Sequence, residues 1–233
     1  MQVIFDHTEP AAQHIQTFWF RPLAPVQYVA GQFTQLRIPH DNADERGTEH
    51  YFTLSSSPTE DKLSITTKFA ERSSTFKQAL RQLRSGTELT MAEPDGEFTL
   101  PADESRPLVF VAGGIGITPI RSMVKWLTDV REHRDIQLIY AVTDFAELAF
   151  EHLFVEYGLE FIPVVTNPPE GWAGETGRLD SARIVQLIGD IGDKLFYLSG
   201  PEPMVEGLAG GLPAQGVPKE QIVTDFFPGY SGI

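Results

Sequence analysis

The run Val109-Phe110-Val111-Ala112-Gly113-Gly114-Ile115-Gly116-Ile117-Thr118-Pro119-Ile120 constrains this chain more than any other stretch. A short apolar strand empties into a turn with three glycines and then into a helix. Glycines let backbone N–H groups approach a ligand with no Cβ in the way, Thr118 suits a helix cap, and Pro119 suits the first helical turn. The free amides at such a helix start favour an anion, and a diphosphate would sit there. The spacing is not that of the G-x-G-x-x-G fingerprint, so tight packing explains the glycines equally well when the turn is taken alone. A second strand, turn and helix follows, in which Leu195-Phe196-Tyr197-Leu198-Ser199 leads into Gly200-Pro201-Glu202-Pro203-Met204. Parallel strands that end side by side place their turns on one sheet edge, where open α/β sheets bind ligands.

Composition narrows the classes. A chain of 233 residues, 41% of them hydrophobic, can build one large domain or two ordinary ones. Its longest apolar runs are too short to span a bilayer and its first residues lack a basic-then-apolar leader, so the expected location is the cytoplasm. With no cysteine the chain cannot hold a disulfide, a thiolate-bound zinc or an iron–sulfur cluster of its own. Its six histidines are scattered without metal-ligand spacing, so no metal is expected. A formal charge of −14 opposes nucleic acid and anionic lipid as partners.

The two halves differ in rhythm. Up to about Leu100 the apolar residues fall in short β-rich runs: 15–20, 32–38, 50–54, 63–68, 88–92 and a short last one at 98–100. One helix is expected over 75–84, with Phe76, Ala79, Leu80 and Leu83 on one face. After Pro101 strands alternate with helices: strands at 108–112, 136–142, 159–165, 195–199 and 221–226, and helices at 119–130, 146–157, 181–188 and from Glu202. The expected fold is a two-domain β plus α/β chain. An antiparallel Greek-key β-barrel would occupy residues 1–101 and a parallel-sheet α/β domain residues 102–233, joined at the proline-bounded, acidic stretch 101–107.

In family order the chain carries Gly31-Gln32-Phe33, His50-Tyr51-Phe52-Thr53-Leu54-Ser55-Ser56, Lys68 with Ser73-Ser74-Thr75, Pro94-Asp95-Gly96-Glu97-Phe98, the glycine turn, and Ser199-Gly200-Pro201-Glu202-Pro203-Met204. With these six motifs it resembles the ferredoxin-NADP reductase family of flavoproteins over nearly its whole length. The resemblance implies a flavin held by the barrel through His50, Tyr51, Phe52, Thr53, Leu54, Thr67, Lys68, Ser73, Ser74 and Thr75, with Thr53 near the flavin N5. The family's usual arginine and tyrosine are here His50 and Phe52. A neutral His50 cannot replace the arginine's charge toward a flavin phosphate, whereas a protonated one does so in part, and Arg72 is a candidate substitute. The helix start at Ser73 to Thr75 reads as a second anion site, or as a plain N-cap.

For the second half the resemblance implies a nicotinamide dinucleotide across the strand ends. Gly113, Gly114, Gly116, Thr118 and Pro119 would hold its diphosphate, Gly200 and Pro201 would face the nicotinamide ribose, and Met204 would form a pocket wall. Ser199 stands beside the hydride path where relatives commonly carry cysteine. Thr143 and Asp144 end the next strand, and an acidic group there bonds a ribose 2′-hydroxyl and repels a 2′-phosphate, which weakly favours NADH over NADPH. Phe227 or Tyr230 would stack on the flavin. The residues expected at the chemistry itself are Thr53, Ser199 and Phe227.

The function implied is an NAD(P)H-dependent flavoprotein reductase. Hydride would pass to bound FAD, favoured over FMN, and electrons then to a separate acceptor such as a ferredoxin, a flavodoxin, an oxygenase or another redox partner. Two rivals stand beside it: a flavin reductase that takes flavin loosely as a substrate, and a noncatalytic electron-transfer or regulatory subunit.

Overall fold

The computed structural model describes residues 1–70 and 73–227, so the expectations placed on Arg72 and Tyr230 lie outside the described residues. The first half holds β1 (Gln2–Ala12), β2 (Ile15–Pro22), β3 (Phe33–Arg37), β4 (Glu49–Thr53), β5 (Leu63–Lys68), helix α1 (Thr75–Arg81) and β6 (Glu88–Met91). Its strands form an antiparallel sheet in the order β4-β3-β6-β1-β2-β5. A single bridge between Leu54 and Ile65 joins the two outer strands and closes the barrel. Alternation along β2 turns the rings of Phe18 and Phe20 into the barrel, with Ile15 and Thr17 buried on the opposite face, and α1 plugs the interior with Phe76 and Leu80.

The second half holds β7 (Leu108–Gly113), α2 (Ile117–Val130), β8 (Ile136–Asp144), α3 (Glu151–Tyr157), β9 (Glu160–Asn167), β10 (Glu175–Thr176), α4 (Ser181–Ile188), β11 (Leu195–Pro201), α5 (Glu202–Gly211) and β12 (Ile222–Phe227). All five strand pairs are parallel, in the order β10-β9-β8-β7-β11-β12. The chain therefore reverses its direction of travel between β7 and β11, which makes the crevice beyond their ends the topological switch point. Both strands are buried along their length apart from the last residue of β11, and one face is covered by α2 and α3, the other by α4 and α5.

Four local expectations need correction. β1 was not anticipated, because Asp6, His7, Thr8, Glu9 and Pro10 interrupt its apolar alternation. Phe98 to Leu100 is not a strand: the Thr99 N–H bonds to Glu97 O, and Phe98 packs edge-on against Tyr197 of the other half, at 5.1 Å between ring centroids. The helix expected over 146–157 is a 3-10 turn at Phe145–Glu147 followed by α3, because Phe150 adopts a left-handed conformation at φ 65° and breaks the run. Thr118 is not the N-cap of α2. A 3-10 turn over Gly114–Gly116 starts the helix earlier, Gly116 occupies the cap position, and the Thr118 hydroxyl donates back to Ile115 O at 3.0 Å.

Candidate functional site

The two glycine turns meet at the switch point, and the glycines there have different reasons. A Cβ on Gly116 would lie 2.3 Å from Ser199 O, one on Gly113 2.4 Å from the Met204 sulfur, and one on Gly200 3.2 Å from the Gly113 backbone. These three are glycine because turn packs on turn. Gly114 is different: its φ is +51° and open space surrounds the position a Cβ would take. No side chain caps the start of α2; the Ile117 N–H bonds back to Gly114 O and Ile115 O, so the backbone of the 3-10 turn, with Gly114 at its head, stands at the positive end of a 14-residue helix. Pro119 sits buried in the first turn, as its fixed φ favours.

Ser199 ends the buried part of β11, and its register partner across the parallel pair is Asp225 of β12. The Ser199 side chain is wholly buried and its Oγ makes no hydrogen bond of good geometry. Burial pushes the Asp225 carboxyl up to about 6, and the approach of the Ser199 hydroxyl offsets part of that rise. Phe227 belongs to β12 by its backbone, beside Pro201.

On the barrel side Thr53 and Thr67 are buried, and Thr67 Oγ1 has no partner. Their neighbours form a buried hydroxyl chain, Thr17 to Thr66 at 2.8 Å, Thr66 to Ser55 at 2.8 Å and Ser55 to Ser64 at 3.0 Å. Strand β5 lies against the Gly114–Gly116 turn, which brings the flavin-side and nicotinamide-side candidates to one joint. Leu54 is fully buried at the barrel seam. Tyr51 and Phe52 point to opposite faces of β4: Tyr51 is 63% exposed, while Phe52 is buried beside Phe76. They cannot serve the same face of a ring.

The second expected anion seat is occupied by the protein's own groups. Ser74 Oγ accepts the Lys77 N–H, Ser73 Oγ donates to Ala70 O, and the Asp44 carboxylate accepts the Thr75 N–H at 2.9 Å. That hydrogen bond holds the Asp44 carboxyl below its ordinary value. His50, which stands at the arginine position, has its ring 4.2 Å from that of Phe76, its Nε2 is buried without a partner, and burial lowers its pKa. Lys68 reaches across the joint to Glu147 at 2.6 Å, and its carbonyl accepts the Lys77 ammonium at 2.7 Å. Lys77 is thus turned inward, whereas Arg81 and Arg84 are exposed. Thr143 and Asp144 are exposed at the end of β8, the strand that pairs with β7 as far as Gly113.

Asp225, Asp44 and Glu147 were not picked out in the sequence. An aspartate within the apolar run before Phe226 was a readable signal for the first, whereas Asp44 and Glu147 carried none. Among the described residues no group of histidine or acidic side chains is placed to hold a metal, and no helix is long and apolar enough to cross a membrane.

Comparison with known proteins agrees with this fold. Residues 110–209 match the family model described as the oxidoreductase NAD-binding domain. The chain is 25% identical to the reductase component of propane 2-monooxygenase from Mycolicibacterium goodii, over 94% of this chain and 65% of that protein. It therefore spans less than two thirds of the length of the first curated relatives it matches. Among solved structures it superposes on the FAD/NAD-binding domain of a nitric oxide dioxygenase from Vibrio cholerae with a TM-score of 0.84, at 20% identity over 97% of this chain and 98% of the other. A ferredoxin NADP+ reductase from Neisseria gonorrhoeae, with FAD and NADP bound, gives a TM-score of 0.80 at 17% identity over 97% and 98% of the two chains.

Proposed function

We propose that the chain is a member of the ferredoxin-NADP reductase-like flavoproteins and an NAD(P)H-dependent flavoprotein reductase that passes electrons to a separate acceptor, a reading supported by the NAD-binding-domain match and the two-domain fold. The observation that carries this reading is the switch point between β7 and β11, where two glycine turns lie back to back with strand β5 of the barrel against the first. We divide the chain into a flavin half, 1–101, and a nicotinamide half, 102–233.

The residues fit both groups at the joint. Gly114 and the 3-10 turn that leads into α2 offer a nicotinamide dinucleotide a diphosphate seat that needs no side chain. Buried hydroxyls without partners at Thr67 and Ser199 offer one hydrogen bond each to a planar guest, and a buried unpaired polar atom is costly unless something arrives to pair it. When bound, the two groups supply the hydride donor and acceptor, and the protein supplies alignment and exclusion of water. Thr53 sits at the end of β4 to orient the flavin edge. Asp225 lies beside Ser199 in register on the next strand, and its carboxyl is half-protonated in mildly acid solution, which keeps a titratable group next to the unpartnered Ser199 hydroxyl. Asp144 favours a free ribose 2′-hydroxyl and hence NADH. The acceptor is placed in the same class as that of the relatives, the oxygenase component of a monooxygenase system.

A second reading is favoured by the occupied seat at α1. With Asp44 on the Thr75 N–H and a neutral His50 where an arginine would stand, the barrel offers little charge to a flavin diphosphate. The flavin would then be held by its ring end and exchange as a substrate. Anaerobic mixing of the purified protein with NADH and then NADPH, while following flavin absorbance, tests the main reading; no bleaching with either donor, with FAD in excess, defeats it. A yellow protein after gel filtration supports the tight form, and a colourless one that bleaches added flavin supports the loose form.

A further inference from the structure

We propose that Arg121 is a positioning residue that sets the spacing between the flavin strand and the diphosphate turn, an inference that rests on the reductase reading above. Arg121 lies in the first turns of α2, directly after the glycine turn. Its guanidinium crosses to the barrel, where Nη1 donates to Ser55 O at 2.8 Å and to Glu60 Oε2, and Nη2 donates to Glu60 Oε1 at 3.0 Å. Both side chains are largely buried, at 13% and 18% exposure. The neighbouring Ser122 hydroxyl donates to Ser56 O at 2.6 Å, and the Ser57 N–H donates to Glu60 at 2.7 Å, which closes the 57–60 turn onto the same carboxylate.

Each end of this latch is rigid. Ser55 follows Thr53 by two residues and is tied to β5 by its N–H to Ser64 O, while α2 buries eight of its residues, from Ile117 to Leu127. Two stiff bodies, one carrying Thr53 and the other the turn from Gly114 to Thr118, are thus pinned directly behind their facing edges, while the other ties between the halves, such as Lys68 to Glu147 and Tyr197 to Thr99 O, lie elsewhere along the joint. On the outer side the two bodies are held by polar ties, such as the Thr59 hydroxyl on Asp129, more than by apolar packing. There a cavity of about 250 Å³ opens between Glu9 and Trp19 of the barrel and Arg121, Lys125 and Phe150 of the sheet half. Arg121 stands between the Trp19 and Phe150 rings, with 5.8 Å to each centroid. A largely buried ion pair is a poor device for stability, since apolar residues of similar size serve as well, but it holds one geometry and rejects neighbouring ones. Displacing a reacting pair by about 1 Å can cost on the order of 100-fold in rate. The joint is therefore where fixed spacing has its largest effect.

The test compares wild type with Arg121→Lys, Arg121→Leu and the double variant Arg121→Leu/Glu60→Leu, all loaded with FAD. The single variants are expected to bleach flavin with NADH about 10-fold more slowly for lysine and on the order of 50-fold for leucine, with the concentration of NADH giving half-maximal rate unchanged. The double variant should recover the urea midpoint of wild type and keep the slow rate, which a merely structural role would not produce. Hydrogen exchange on the flavin-free protein should show lost protection at Ser57 and its neighbours in Arg121→Leu, with the α2 core unchanged. Wild-type bleaching rates in the variants, or unchanged exchange at Ser57, overturn the proposal. If wild type itself bleaches with neither nicotinamide, the reductase reading falls, and the exchange result alone then judges whether Arg121 holds the joint.

Discussion

The two anion seats of this molecule are built from different materials. The one between β7 and α2 is made of backbone: Gly114 with its open flank, amides free of any side-chain cap, and three further glycines that let one turn rest on another. The one before α1 is made of side chains and is already satisfied from within, by Ser74 on the Lys77 N–H and Asp44 on the Thr75 N–H, with His50 neutral nearby. A seat made of backbone cannot be lost by a single side-chain substitution unless a Cβ is added to it. A seat made of side chains can be altered one residue at a time, and in this one a carboxylate, Asp44, already takes the Thr75 N–H.

The largest effect expected of that contrast comes from adding a Cβ. Gly116→Ala places a methyl 2.3 Å from the Ser199 carbonyl oxygen with backbone on both sides, so it should cost roughly 3 kcal/mol and abolish NADH-dependent bleaching. Gly114→Ala meets nothing within 4 Å, so only its left-handed conformation costs, about 1 kcal/mol, and the defect should show as weaker NADH binding. Urea titration of both variants, with fixed slope, checks the difference; equal stabilities would break the distinction between packing glycine and seat glycine.

Next in size is Asp225. Its carboxyl titrates near 6 when folded and near the ordinary aspartate value when unfolded, so the unfolded chain loses its proton first as pH rises. Stability due to this group therefore falls between about pH 4 and pH 6 and stays low above that. Asp225→Asn should stabilise the protein by about 2 kcal/mol at pH 8 and by almost nothing at pH 4, as read from denaturation midpoints at the two values.

On the barrel side, His50→Arg should tighten FAD roughly 10-fold while leaving riboflavin unchanged, because only FAD presents a diphosphate to the new charge. Since burial keeps His50 neutral below its ordinary value, the wild-type preference between FAD and riboflavin should be flat from pH 8 to 6.5, by fluorescence titration. The smallest effect is expected at the exposed end of β8, where Asp144→Ser should shift the NADH to NADPH rate ratio only about 3-fold toward NADPH, given solvent screening.

The same contrast explains what the sequence revealed. The doubly wound sheet was legible because strands such as Leu108 to Gly113 are continuous apolar runs and glycines mark their ends. The α4 boundaries at Ser181 and Ile188 followed from its cap and its apolar spacing. The start of α2 was misplaced at Thr118 because a 3-10 turn of glycines has no periodicity to announce it. β1 stayed hidden because a strand of Asp, His, Glu and Pro lacks alternation, and the break at Phe150 because no residue type advertises a left-handed phenylalanine. Contacts between the halves, from Arg121 to Glu60 and from Lys68 to Glu147, join residues far apart along the chain, so no local pattern could point to them.

The barrel is closed by one bridge, between Leu54 and Ile65, next to the strand that carries Thr53. Beyond that backbone bridge the seam rests on hydroxyls, Ser55 to Ser64 and Thr66 and the Ser64 N–H to Ser56, rather than on a continuous ladder, which makes it a natural tear line on warming. Colour would fade from a loaded sample at a temperature where helical ellipticity is still intact, because the parallel sheet has no comparable weak closure to unzip.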